Sequence, residues 1–185
     1  LKIKKAKTFI ISIGNIVAGG GGKTPFVIFL INEILKKDPQ KKIGLLSRGY
    51  GTKNEKSNLI IESSKKPQKL KALDIGDEPY LIKRKFKDVV LGIGRQRCRN
   101  SKTLDSKQLN CLILDDGMQH RKLFRDFEIV VLNSNDLFGK NHFLPYGFLR
   151  DHPKSLKRAD LVVINNVEEK KDFEKLKDVM NDLKD

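Results

Sequence analysis

Four consecutive glycines followed by a lysine and a hydroxyl residue, Gly19-Gly20-Gly21-Gly22-Lys23-Thr24, are the residues of this chain best suited to chemistry. Glycines let successive backbone N–H groups curl around phosphate oxygens. A lysine at this spacing reaches the β- and γ-phosphates, and a threonine hydroxyl ligates Mg²⁺. The stretch from Val17 and Ala18 through Thr24 is therefore read as a cradle for ATP, although Val17 stands where the pattern carries its first glycine. Pro25 then falls in the first turn of a helix, where its missing N–H costs nothing, and the positive end of that helix faces the same anion.

The second group is Asp115-Asp116, which ends the apolar run Cys111-Leu112-Ile113-Leu114. A carboxylate at the end of such a strand reaches a magnesium ion held by Thr24. Taken alone, Asp115-Asp116-Gly117 reads equally well as a turn; beside the glycine loop, the metal-site reading is preferred. Asp77-Glu78 is the third. Spacing leaves open whether these acids orient and deprotonate an acceptor hydroxyl or cap the helix that follows. Arg48, Arg95, Arg97, Arg121 and Arg150 are candidates for forked contacts to a phosphorylated substrate, and each taken singly also reads as a solvated surface arginine. His120 follows the Asp115-Asp116 strand, and His142 and His152 read as loop residues. No spacing links the three as transition-metal ligands, and Cys98 and Cys111 form no paired pattern.

The elements that must position these groups alternate between strand and helix. Thr8–Ile13, Ile43–Ser47, Asp88–Gly92, Cys111–Leu114, Phe127–Leu132 and Leu161–Ile164 read as short buried strands. Pro25–Lys37 and Asp77–Phe86 read as helices, with Asp77 a possible cap, Arg95–Leu104 reads as a helix or a loop plus helix, and residues 168–184 carry Phe173, Leu176, Val179, Met180 and Leu183 at helical spacing. Residues 52–57 and 63–69 read as loops. Such alternation predicts an α/β fold, a mostly parallel sheet of P-loop NTPase type with helices on both faces, and ligands beyond the carboxyl ends of the strands.

With 185 residues the chain has room for one domain. Its longest apolar stretches fall far short of the roughly 18 residues of a membrane span, so the chain as it stands reads as soluble, and the cysteine usage suits a reducing compartment. The formal charge of +15 suits an acidic substrate, an anionic membrane surface or nucleic acid. Lysines spread evenly along the chain account for it equally well. No aromatic-interleaved basic stripe points to specific nucleic-acid binding, and nothing implies a protein partner.

Five blocks in order carry a family resemblance: Ile13-Gly14-Asn15 leading into Gly19–Pro25, Leu46–Gly51, Gly76–Pro79, Asp115–Arg121 and Leu144–Arg150. From about Phe9 to Asn165 the chain resembles tetraacyldisaccharide 4'-kinase, the lipid A 4'-kinase family. The resemblance implies transfer of the ATP γ-phosphate to the 4'-hydroxyl of a tetraacylated glucosamine disaccharide 1-phosphate, at the cytoplasmic face of the bacterial inner membrane, by a peripheral enzyme. It further implies Lys23 on the phosphates, Thr24 on Mg²⁺, Asp77 as the base, Glu78, Asp115 and Asp116 around the metal, and Arg95 and Arg150 on the substrate phosphate. Gly21, Met118, Phe148 and Asp151 depart from the residues usual in the family, and none removes a charged group the chemistry needs. Family members are longer, with an N-terminal membrane anchor and a C-terminal segment whose His pairs with the base. The chain is accordingly expected to be a single P-loop kinase domain, residues 1–185, truncated at both ends relative to the family.

The rival reading is a P-loop nucleotide-hydrolysing switch or regulatory module. Asn165-Asn166 after a strand faintly suggests a guanine-reading loop, though the Lys-x-Asp that should follow is missing.

Overall fold

The computed structural model describes residues 2–62 and 70–168, together with Glu174, Lys177, Asp178 and Asn181. Those last four are helical and exposed. The apolar positions that predicted a helix over 168–184 lie outside the described residues, as does the loop over 63–69.

The strands are β1 (Phe9–Gly14), β2 (Ile43–Ser47), β3 (Leu59–Ile61), β4 (Val90–Ile93), β5 (Cys111–Asp115), β6 (Phe127–Asn133) and β7 (Leu161–Asn165). They form one sheet in the order β3-β4-β2-β5-β1-β6-β7. Every pairing is parallel except that of β3 with β4. β1 therefore lies between β5 and β6, with Ile13 opposite Asp115.

Helices α1 (Lys23–Lys37), α2 (Ala72–Ile75), α3 (Asp77–Lys85) and α4 (Arg97–Asp105) cover both faces. Alternation along each strand decides which side chain faces which layer. Ile13, Leu45, Ile113 and Val131 pack with Val27 and Ile31 of α1, Ile75 of α2 and Ile82 of α3. On the other face Leu46, Leu112 and Leu114 pack with Leu104 of α4. Val130 and Leu132 are covered instead by Met118 and Leu149 from irregular segments and by Leu156 of a short 3-10 helix, Pro153–Arg158. Strands buried on both faces read as continuous apolar runs, which is why β2 and β5 were predicted nearly to the residue.

Two elements depart from the sequence expectation. β3 is only three residues long and sits between polar turns, and α2 is a single turn, so neither displays a full hydrophobic period. The expected cap role of Asp77 is also corrected. The N-cap of α3 is Gly76, at φ 96°, and Asp77 is the first residue inside the helix.

Candidate active site

The carboxyl ends of β1, β2 and β5 open onto a cleft of about 690 Å³, within the range of small-ligand sites. Gly19, Gly20 and Lys23 line one side, Asp77 and Glu78 a second, and Asp115 and Asp116 the floor. Arg150 reaches the same cleft. Most of the residues singled out in the sequence thus converge on one space. Arg95 does not line it; it lines an adjoining cavity of about 240 Å³ together with Arg48, Arg97, Arg150 and His120, and Asp116 borders both spaces.

The glycine loop is held from three directions. Asn15 is buried, and its Oδ1 accepts the Val17 N–H at 2.9 Å. The Ala18 N–H donates to the Phe148 carbonyl at 2.7 Å and the Gly21 N–H to the Gly19 carbonyl at 2.8 Å. Among the described residues this leaves the N–H groups of Gly19, Gly20, Gly22, Lys23 and Thr24 for an anion, the last two being donors that the start of α1 cannot pair internally. Gly22 sits at φ 76°, and a Cβ there would meet Asn165 Nδ2 at 2.2 Å. That amide donates to the carbonyls of Gly21 and Gly22 at 3.3 and 3.4 Å. Asn166 donates to Asn133 Oδ1 at 3.3 Å. Both asparagines that suggested a guanine-reading loop are thus engaged with the protein itself.

Asp115 and Asp116 occupy contrasting environments. Asp115 is buried at the end of β5 and its Oδ2 accepts from Ser47 Oγ at 3.1 Å. Burial first, then the negative charges of Glu78 and Asp116, push its carboxyl up to about 6 against the opposing pull of Arg97 and Lys23. Asp116 adopts φ 47°. Its carboxylate takes a forked pair of bonds from Arg150, Nη1 to Oδ1 at 2.8 Å and Nη2 to Oδ2 at 2.9 Å, and lies 3.7 Å from Lys23 Nζ. Burial acts to raise the Asp116 carboxyl, yet the Arg150 hydrogen bonds with Lys23 and Arg97 hold it below its ordinary value.

Arg150 is placed by a second strand-like contact. Its N–H donates to the Ile16 carbonyl at 2.7 Å, and Val17 bridges Leu149, so residues 148–150 are stitched along the glycine loop. Arg97, considered above as a phosphate clamp, is mainly a brace. It is 4% exposed, and Nη1 donates to the carbonyls of Asp115 and Asp116 at 3.0 and 2.9 Å. Arg48 and Arg95 both donate through Nε to Glu55 Oε1 at 2.8 Å. The Arg95 bond, with the Gly51 amide and Arg48, lowers the Glu55 carboxyl to about 2. Burial, then Arg97, Arg125 and Lys122, lowers His120 to about 4 and keeps it neutral at pH 7. Arg121 lies apart from the cleft residues, paired with Asp151.

Sequence reasoning passed over Ser47, Glu55 and the bracing role of Arg97. Each acts on another side chain or carbonyl of the protein, so no ligand motif marks it. The one available signal was the acid Glu55 in a turn flanked by Arg48.

Thr24, next to Lys23 in the first turn of α1, does not itself line the cleft. The side-chain donors lining the cleft from Glu78, Asp115 and Asp116 are all hard oxygens, and the buried Asp115 carboxyl lies beside the negative charges of Glu78 and Asp116. That set fits Mg²⁺. Among the described residues no three acidic, His or Cys side chains form a ready-made metal cage. Magnesium needs none, since it takes one or two carboxylates along with phosphate and water oxygens.

A parallel sheet with a glycine loop between β1 and α1, and an acidic pair on the neighbouring strand, defines the P-loop kinase class of α/β proteins. Residues 1–183 match the model of the family described as tetraacyldisaccharide-1-P 4'-kinase, and the chain belongs to that family. It is 43% identical over 156 residues to the tetraacyldisaccharide 4'-kinase of Syntrophus aciditrophicus, covering 83% of this chain and 41% of the relative. It is 40% identical over 161 residues to that of Chlamydia caviae, covering 87% and 42%. A solved structure of LpxK from Aquifex aeolicus, described as an "apo" form in complex with ATP, superposes with a TM-score of 0.77 at 40% identity, covering 89% of this chain and 50% of that one. The chain thus spans about half the length of the relatives it matches. No helix among the described residues is long and apolar enough to cross a membrane.

Proposed function

We propose that residues 1–185 form a single P-loop kinase domain that binds ATP and Mg²⁺ and transfers the γ-phosphate to the 4'-hydroxyl of a tetraacylated glucosamine disaccharide 1-phosphate. The observation that carries this reading is the convergence of the glycine loop, Asp77-Glu78 and Asp115-Asp116 on one cleft, with an arginine-lined cavity beside it. Family membership and the ATP described in the Aquifex relative support it.

In this reading Lys23 Nζ leaves Asp116 for the β/γ-phosphate oxygens, and the amides of Gly19, Gly20, Gly22, Lys23 and Thr24 hold the triphosphate. Thr24, Asp115, Asp116 and Glu78 hold the metal, which when bound offsets the charge spread over the transferred phosphoryl group. Asp77 Oδ accepts the proton of the 4'-hydroxyl as its oxygen bonds to the γ-phosphorus and ADP departs. Arg95 and Arg150, from the adjoining cavity, hold the acceptor's 1-phosphate. The net charge of +15 favours the cytoplasmic face of an anionic inner membrane, where each nearby Lys or Arg adds about 1 kcal/mol.

The test is transfer of label from γ-labelled ATP to tetraacyldisaccharide 1-phosphate. Lys23→Ala should abolish transfer while the fold survives, and retained turnover removes the phosphate role of the loop. Tight guanine selectivity without acceptor-dependent turnover would instead favour a nucleotide switch.

A further inference from the structure

Asp116 stands where the two halves of the site meet. It borders both the large cleft and the arginine-lined cavity. On one side its carboxylate faces Lys23 at 3.7 Å, and on the other it takes the fork of Arg150 at 2.8 and 2.9 Å. The backbone under it is fixed. Its carbonyl accepts from Arg97 at 2.9 Å, and the next N–H, that of Gly117, donates to the Ile13 carbonyl at 3.1 Å. Arg150 is likewise anchored at its own N–H to Ile16, while its side chain keeps 27% exposure. A carboxylate on a fixed backbone thus sits between two long cationic side chains.

The pairing matters because Arg150 uses both terminal nitrogens on Asp116. Those two donors form one of the two forks by which a guanidinium grips a phosphate. Arg48 and Arg95 are held differently, each through Nε on Glu55 Oε1. A phosphate entering the small cavity therefore meets Arg150 already neutralised by a bidentate acid. Once Asp116 turns to a metal–nucleotide complex and Lys23 to the phosphates, Arg150 loses its bidentate partner. Its fork is then released toward the adjoining cavity.

We propose that Asp116 couples the two ligand sites: it holds Arg150 closed to anions until the metal–nucleotide complex arrives, so that nucleotide and acceptor phosphate bind with positive cooperativity. The inference rests on the kinase reading of the cleft. Its sign is diagnostic, because magnesium–ATP carries net negative charge and simple repulsion between two anions makes the second bind more weakly. By linkage, the acceptor phosphate tightens the nucleotide by the same factor.

The experiment is a calorimetric titration of glucosamine 1-phosphate, a soluble phosphate monoester, into the intact protein with and without saturating Mg²⁺ and a non-hydrolysable ATP analogue. In the wild type the analogue should tighten the probe on the order of tenfold, within the usual range of coupling between sites. Asp116→Asn should bind the probe without nucleotide about as tightly as the loaded wild type, with less than about twofold further gain. Glu55→Gln alters the acid that partners Arg48 and Arg95 and leaves Lys23 and Arg150 untouched, so whatever it does to the probe's own affinity, it should keep the wild-type coupling. An analogue that binds yet leaves the wild-type probe affinity unchanged or weaker overturns the inference and spares the kinase reading. Coupling that persists in Asp116→Asn overturns it too. An analogue that fails to bind the wild type, or a probe that binds in neither condition, sinks the reading and the inference together. The wild-type arm decides the question even if the Asn variant does not fold.

Discussion

Asp115→Asn should stabilise the metal-free protein at neutral pH while removing a carboxylate the kinase reading needs. In the fold this carboxyl is pushed from 3.8 up to about 6, first by burial and then by Glu78 and Asp116. The folded state therefore holds the proton more tightly than the unfolded chain between those two values. Stability falls as pH rises through that window, and the penalty is complete above about pH 6. A gap of about 2 units corresponds to ~3 kcal/mol at ~1.4 kcal/mol per unit. Asparagine has nearly the same shape, never ionises, and keeps an oxygen for the Ser47 hydroxyl, which now donates at 3.1 Å. Urea unfolding in the presence of chelator should show the variant more stable by up to ~3 kcal/mol near pH 7.5, with the difference gone near pH 4. Added Mg²⁺ and ATP analogue should stabilise the wild type by mass action at the higher pH and the variant much less. Equal stabilities of the two proteins at both pH values would refute the reasoning, because burial and the neighbouring acids would then impose no cost on the ionised group.

Three other substitutions probe separate parts of the site. Asp77→Ala should lower kcat on the order of 10²–10⁴-fold with nucleotide Kd nearly unchanged, as for loss of a general base; a variant that mainly loses nucleotide affinity in equilibrium titration assigns Asp77 to the metal instead. Arg97→Met strips charged donors worth about 1.5–3 kcal/mol each from two carbonyls but recovers the cost of burying a cation. Denaturation should therefore show a loss under ~3 kcal/mol, while kcat drops on the order of 100-fold as Asp116 loses its direction; undiminished kcat removes the bracing role. Gly22→Ala should cost about 1–2 kcal/mol for its left-handed backbone alone and displace Asn165, weakening nucleotide binding in the same titration. Wild-type affinity there would mean that the loop does not need this conformation.

The parts of the fold that could be read in advance were those whose burial dictates composition. β2 and β5 have every residue buried, so they appear as unbroken apolar runs, and α1 shows its face through Val27, Ile31 and their neighbours. Boundaries drifted where geometry rather than hydrophobicity ends an element. β5 extends to Asp115 because Ile13 pairs with it across the ladder, and a charged residue gives no hint of that. β3 exists because the open edge of β4 accepts it, a reason that belongs to β4 and not to Leu59–Ile61.

The site divides along a similar line. Lys23 and Thr24 stand out in the sequence because the role proposed for them requires fixed spacing from the glycines, so the motif is local. Asp115 was legible only in combination, since what makes it a metal candidate is the parallel pairing of β5 with β1, which brings residues about ninety apart in sequence to the same edge. The supporting groups follow no local rule at all. Ser47 meets Asp115 because β2 is the other neighbour of β5, Arg97 meets the same turn from the start of α4, and Asn165 reaches the glycine loop from the end of β7. Each contact is a consequence of strand order, and strand order is set by which buried faces pack best together, a property of the whole sheet. A charged pair such as Asp116 and Arg150 is therefore the hardest kind of feature to foresee. Its partners are thirty-four residues apart, and each has a separate proposed role in binding, so nothing local in the sequence links them.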